Sequence, residues 1–237
     1  MKVEGSVALV TGANRGLGAA FARALLDRGA AKVYAAVRRP ETVSDARLVT
    51  VRLDLTDRAS IAEAARIASD ATLVINNAGI STHTPILGDE DRLRQELEVN
   101  YLGPVALSRS FAPVLAANGG GALVNVLSAL SWVSFPTSGA YSAAKAALWN
   151  ATNALRLELA DQHTLVLAVH VGYMDTDMTA HISAHKTSPD VVADATLQAV
   201  EAGQIEILAD EPTRQVRAAL SGPLTALYPS LLASIAA

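Results

Sequence analysis

The strongest constraint on this chain is an alternation. Short, unbroken apolar runs rich in β-branched residues take turns with longer Ala/Leu-rich stretches of helical spacing. Val7–Val10, Lys32–Val37, Val49–Arg52, Leu73–Asn76, Ala122–Val126 and Leu165–Val171 read as strands, with a short last one at Ile205–Leu208. Helices are expected over Gly16–Gly29, Asp57–Ala68, about Asp89–Leu102, Tyr141–Ala160 and about Pro189–Ala202. Strands that are apolar throughout are buried on both faces, which demands a parallel sheet with helices covering each side. The expected fold is α/β, a doubly wound parallel sheet with helices on both faces. A single domain is expected over residues 1–237, with the stretch after Glu211, broken at Pro212, Gly222-Pro223 and Pro229, packed on it as helix and turn.

Composition narrows the function. With 51% hydrophobic and 18% charged residues the chain is neither disordered nor fibrous. It contains no cysteine, which excludes disulfide frameworks, thiolate zinc sites and a Cys nucleophile. A net charge of −4 leaves no electrostatic footprint for nucleic acid. No run approaches the roughly 18–20 apolar residues of a membrane helix, and Met1–Val10 lacks the layout of a signal peptide. A cytoplasmic protein with no membrane or nucleic-acid partner is expected. His83, His181 and His185 are not spaced as ligands on a common helix, so no metal is expected either.

Between the first strand and the first helix lies Thr11-Gly12-Ala13-Asn14-Arg15-Gly16-Leu17-Gly18. That is where a dinucleotide's pyrophosphate needs close backbone approach and a helix N-terminus. Side chains at Gly12 or Gly16 would obstruct it, and Gly18 lets the helix lie tight on the sheet. A P-loop would end in Lys-Ser/Thr, which is missing. The second strand ends Ala35-Ala36-Val37-Arg38-Arg39, without the acid that holds a ribose 2′-hydroxyl. Arg38, helped by Arg15, offers a charge-assisted fork to a 2′-phosphate, so the expected cofactor is NADP(H). The alternative is that either arginine is simply solvated.

Tyr141 and Lys145 stand four apart at the start of the long helix, on one face. A free phenol titrates near about 10, and an adjacent ammonium is expected to draw it down towards a working proton shuttle. Tyr141 would then protonate a carbonyl oxygen as hydride arrives at carbon, and act as base in reverse. Ser128, 13 residues earlier and just past the fifth strand, is placed to donate to the same oxygen.

This combination resembles the short-chain dehydrogenase/reductase family in its single-domain, Rossmann-fold form, over roughly Lys2 to Leu208. Thr11-Gly12-x-x-x-Gly16-x-Gly18 matches its cofactor loop, Asn76-Asn77-Ala78-Gly79 the turn after its fourth strand, and Asn100 its helix asparagine. With Ser128, Tyr141 and Lys145, Asn100 completes a catalytic tetrad, and Pro136 falls five before the tyrosine as is usual. The resemblance implies a cofactor-binding set of Gly12, Asn14, Arg15, Gly16, Leu17, Gly18, Arg38, Asp54, Leu55, Asn77, Ala78, Gly79, Tyr141, Lys145, Gly172 and Thr176. It implies that Asn100 holds a water in a proton relay from Lys145, that Lys145 bonds the nicotinamide ribose, that Asp54 meets the adenine and that Thr176 takes the carboxamide. The family's usual Pro-Gly is Val171-Gly172 here. Leu127 replaces a common serine, and Ser131 a common glycine.

The substrate is expected beyond the carboxyl ends of the strands, near residues 80–85, 129–135 and 173–187. Trp132, Phe135, Tyr173, Met174 and Met178 make that rim apolar, with no Lys or Arg in the last segment before Lys186. A small neutral, fairly hydrophobic ketone, aldehyde or secondary alcohol follows. The runner-up is a non-catalytic NADP(H)-binding sensor; an epimerase or dehydratase fits the chain length less well, and an enoyl reductase the Tyr–Lys spacing. The resemblance also implies a homodimer or homotetramer.

Overall fold

The computed structural model describes residues 1–228. Seven strands form one sheet: β1 (Val7–Thr11), β2 (Lys32–Val37), β3 (Val49–Arg52), β4 (Leu73–Asn76), β5 (Gly121–Val126), β6 (Thr164–His170) and β7 (Glu206–Leu208). Their order is β3-β2-β1-β4-β5-β6-β7 and each neighbouring pair is parallel. The pleat explains the continuous apolar runs. Ala8, Val10, Leu73, Ile75, Ala122 and Val124 face one core, while Leu9, Val74 and Leu123 between them face the other. The first core is closed by α1 (Gly16–Asp27) and α6 (Pro189–Glu201). The second is closed by α2 (Arg58–Ile67) and by the helices between β4 and β6. Both the sheet and the two helical layers match the doubly wound expectation.

Between β4 and β5 the structure departs from the sequence reading. Helix α3 (Glu90–Leu97) passes through a π turn, Glu98–Leu102, into α4 (Gly103–Ala117), where the expected helix ended at about Leu102. Pro104 lies at the first positions of α4, where a missing N–H costs little. Gly103 is needed for closeness: a Cβ there would sit 2.7 Å from Leu55 Cβ. The pair is a joint between two helices. Helix α5 (Gly139–Glu158) follows β5, and α7 (Glu211–Ala219) and α8 (Leu224–Leu227) follow β7, separated at Gly222-Pro223. The helix-and-turn expectation holds to Tyr228; its last break, Pro229, lies outside the described residues.

Candidate active site

The glycine loop leaves β1 with Gly12 at φ +68° and Gly16 at φ +53°, both in the left-handed region. Helix α1 begins at Gly16, with no side-chain cap and no acid in its first turn. By contrast, Asp57, Asp89, Ser188 and Asp210 cap α2, α3, α6 and α7. The first N–H groups of α1 are thus left for an anion. Thr11 ties the loop to the turn after β4. Its hydroxyl accepts from Asn77 N and Ala78 N at 2.9 Å each, and Asn77 Nδ2 donates to its carbonyl at 2.8 Å. A Cβ on Gly12 would lie 3.2 Å from Ala78, so loop and turn touch. This is a cradle that fits a pyrophosphate.

Arg38 follows β2 and is exposed, near Asp54. Hydrogen bonds from Thr56 hold Asp54 below the ordinary carboxylate range, helped by the charges of Arg38 and Arg52. Leu17 and Leu55 turn their side chains into the core, and Asn14 is half-buried in the loop. Arg15 reaches the other way, its Nη1 2.7 Å from Asp177 Oδ2 in the segment after β6. Thr176 meets the loop too, since a Cβ on Gly16 would be 3.2 Å from its Cγ2. The Gly172 N–H is engaged by Asp210 Oδ2 at 2.6 Å.

Of the four residues expected to form a tetrad, Asn100 and Lys145 meet at Gly79, and Tyr141 lies near both Lys145 and Ser128. Lys145, only 4% exposed, donates from Nζ to the Val126 carbonyl at 2.8 Å and lies 5.7 Å from the Tyr141 ring centre. Ser128 Oγ accepts from Leu130 N at 3.1 Å, which leaves its own proton to give, and it stands against the Tyr141 phenol. Asn100, fully buried in the π turn, grips Ile80 twice: Oδ1 accepts its N–H and Nδ2 donates to its carbonyl, each at 2.9 Å. A Cβ on Gly79 would lie 2.9 Å from Asn100 Oδ1 and 3.9 Å from Lys145 Nζ. Pro104, four residues on, has no N–H for the Asn100 carbonyl.

The electrostatics correct one expectation. Burial pushes the Tyr141 phenol up to about 12; the Ser128 bond opposes this and the Glu96 charge adds to it. Burial also brings Lys145 down to about 8. In this state desolvation is the largest effect on both groups, so the phenol is held protonated rather than made acidic.

Two expected rim residues face inward instead. Trp132 stacks on the buried His170 ring at 4.0 Å and meets Trp149 edge-on at 6.1 Å, while Met174 packs on the core. Phe135, Tyr173 and Met178 remain exposed. His170 braces the site from β6, its Nδ1 3.3 Å from the Ser128 carbonyl. Burial lowers it from about 6.5 to about 4. The unfolded chain takes up this proton below about pH 6.5 and the folded one only near 4, so stability falls with pH across that window. Its share at pH 4.5 is about 2–3 kcal/mol. Urea unfolding at pH 7 and 4.5 should show a loss smaller by that amount in His170→Asn than in the parent; equal losses would exclude His170 as the source.

The family model for short chain dehydrogenase matches residues 6–187. The cis-4-hydroxycyclohexanecarboxylate dehydrogenase of Sinomonas cyclohexanicum is 36% identical over 191 residues, 75% of this chain and 77% of that protein. Galactitol 2-dehydrogenase (L-tagatose-forming) of Cereibacter sphaeroides is 32% identical over 192 residues, 75% of each. The crystal structure of a short chain dehydrogenase from Burkholderia cenocepacia J2315 in complex with NADP matches with a TM-score of 0.93. Identity to it is 42%, over 98% of this chain and 99% of that one.

Proposed function

The chain belongs to the short-chain dehydrogenase/reductase family of oxidoreductases, and from that premise we propose that it is an NADP(H)-dependent carbonyl reductase. It reduces a neutral, fairly hydrophobic ketone or aldehyde to the alcohol, or runs the reverse, as a single-domain enzyme with residues 173–187 on the substrate side. The apposition of Tyr141 to Ser128 and Lys145 carries the reading. A sensor would have no use for that apposition.

Gly12, Gly16 and the open end of α1 would hold the pyrophosphate, Arg38 the 2′-phosphate, and Lys145 the nicotinamide ribose with the donors it does not spend on Val126. NADPH, when bound, supplies the hydride. Tyr141 gives its Oη proton to the substrate carbonyl oxygen, which becomes the alcohol. Ser128 donates a hydrogen bond to that oxygen as charge builds on it. The Lys145 ammonium faces the phenolate left behind and would return a proton to it, itself resupplied through a water that the Asn100 carbonyl would hold.

The NADP in the Burkholderia cenocepacia structure and the lack of an acid after β2 support the cofactor choice. Arg38→Asp should lower the NADPH-to-NADH ratio of kcat/KM by about 10–100-fold, the worth of a charge-assisted hydrogen bond. An unchanged ratio would remove Arg38 from the 2′-phosphate. The exposed Phe135, Tyr173 and Met178 support an apolar substrate. The deciding experiment is a panel of cyclohexanone, acetophenone, benzaldehyde, 2-octanone and cis-4-hydroxycyclohexanecarboxylate, read by nicotinamide absorbance with each cofactor. Turnover of the neutral carbonyls supports the proposal, and turnover of the carboxylate alone overturns its substrate class. We also propose a homodimer or homotetramer, with the 81% exposed Leu157 of α5 on a shared face; sedimentation as monomer alone refutes it.

A further inference from the structure

Glu96 and Asp210 are the fully or nearly fully buried acids among the described residues. Asp210 spends both oxygens, one on Gly172 N–H and one capping α7 at Thr213 N–H. Glu96 caps nothing. It lies inside α3, completely shielded from solvent, on a helix packed against α5. An apolar side chain would fill that position without the desolvation cost a carboxylate carries.

Its bonds show what the carboxylate supplies. Oε1 accepts both the N–H of Thr82, at 2.6 Å, and the Thr82 hydroxyl, while Oε2 finds no partner among the described residues. The Thr82 hydroxyl lies 2.8 Å from that of Thr84, and the Thr84 carbonyl accepts the N–H of Ala140 at 3.1 Å. Ala140 immediately precedes Tyr141. One helical turn after Glu96, Asn100 grips Ile80 with both ends of its amide. Residues 80–84 are therefore strung between α3 and the first turn of α5, with a buried charge at one anchor and a family-type asparagine at the other.

We propose that Glu96 is a positioning residue for the proton donor: its carboxylate anchors the Thr82–Thr84 loop on which the start of α5 rests, and so fixes Tyr141 against Ser128 and Lys145. The inference rests on the reading of Tyr141 as the group that protonates substrate. The same negative charge acts on the phenol directly and helps keep its proton in place. Charge-assisted bonds to a backbone N–H and a hydroxyl are short and directional, which suits an anchor better than apolar packing would.

The test uses the full chain, NADPH and the panel ketone that it reduces fastest. Glu96→Ala should lower kcat by about 10–100-fold while NADPH affinity, read by fluorescence titration, stays within about twofold. Glu96→Gln keeps an oxygen for Thr82 and should recover at least half of the lost activity on a logarithmic scale. Thr82→Ala removes only the hydroxyl and should lower kcat about 3–10-fold with little change in melting temperature; it keeps the inference testable if Glu96→Ala does not fold. A kcat within twofold of the parent in Glu96→Ala or Thr82→Ala overturns the inference, as does a Glu96→Gln no better than Glu96→Ala. Tyr141→Phe assayed alongside separates the two claims. If that variant stays active, the reading of Tyr141 falls; if it is dead while the Glu96 and Thr82 variants are unimpaired, only the positioning role falls.

Discussion

Tyr141→Phe should lower kcat for carbonyl reduction by roughly 10³-fold, the usual worth of a placed general acid, with NADPH affinity changed less than about twofold. The substitution removes one oxygen and leaves the ring, so the packing of α5 is kept. The size of the loss follows from the site's electrostatics. A phenol held at about 12 stays protonated across the whole working range, which is the state a reductase needs before hydride arrives. No other described group beside Ser128 offers a proton there: the Ser128 hydroxyl is a far weaker acid, and Lys145 is turned to the Val126 carbonyl. The sign of the pH response follows as well. Lys145 is charged below about 8 and loses its proton above it, so kcat/KM of the parent should fall as pH rises through about 8. Residual turnover above a few per cent in Tyr141→Phe, or a parent profile that climbs above pH 8, would separate the chemistry from this pair.

Much of this was legible in the sequence because it is local. A parallel strand buried on both sides has to be apolar at every position, and Val7–Thr11, Leu73–Asn76 and Gly121–Val126 are nearly so. The glycine loop announces itself because backbone closeness tolerates no other residue, and Tyr141 with Lys145 because a helix puts such a pair on one face. What stayed hidden depends on packing between distant segments. Gly103-Pro104 has the look of a stop until α4 is seen lying on Leu55. Glu96 resembles its exposed neighbours Glu90 and Asp91 until α5 covers it, and no spacing rule marks it as an anchor. Trp132 is an apolar residue in a loop, and only the placement of β6 decides that it stacks on His170 instead of lining a cleft. The Tyr141 expectation failed for the same reason. Sequence gives the distance to Lys145 along the helix but not the depth of burial, and burial is the larger effect on both groups.

The buried polar ladder under the site leaves a readable trace in two strands. Asn76 and Asn125 are register partners on β4 and β5, each an amide inside an apolar run. Asn76 Nδ2 donates to Asn125 Oδ1 at 2.8 Å and to Ser108 Oγ at 3.1 Å, and Asn125 Nδ2 donates to Thr152 Oγ1 at 2.9 Å. These bonds tie β4 to β5 and both strands to α4 and α5, so the turn at Asn77–Gly79 and the helix of Tyr141 share one foundation. Polar residues at interior strand positions are costly unless bonded, and two of them on adjacent strands point to a structural link.

Gly18→Ala should weaken NADPH binding by about 100-fold or more and cost about 2–3 kcal/mol of stability, the upper range for an overpacked site. The glycine is not required by its backbone angle but by what lies opposite. A Cβ at residue 18 would stand 2.1 Å from the Gly12 carbonyl oxygen, and 2.7 Å from the Gly12 carbonyl carbon and from Asn77 Nδ2. Two of those atoms are main chain, so no rotamer change relieves the clash, and the first turn of α1 has to back away from the loop. That movement strikes the same contacts that shape the cradle, because Asn77 Nδ2 is bonded to the Thr11 carbonyl next to Gly12. Gly16→Ala provides the comparison. Its Cβ would meet Thr176 Cγ2 at 3.2 Å, a side-chain atom that can shift, although φ +53° adds backbone strain. Thermal unfolding and NADPH titration of the two variants should therefore rank Gly18→Ala as the more damaging in both. A Gly18→Ala protein that binds NADPH like the parent would mean that this turn is not where the pyrophosphate lies.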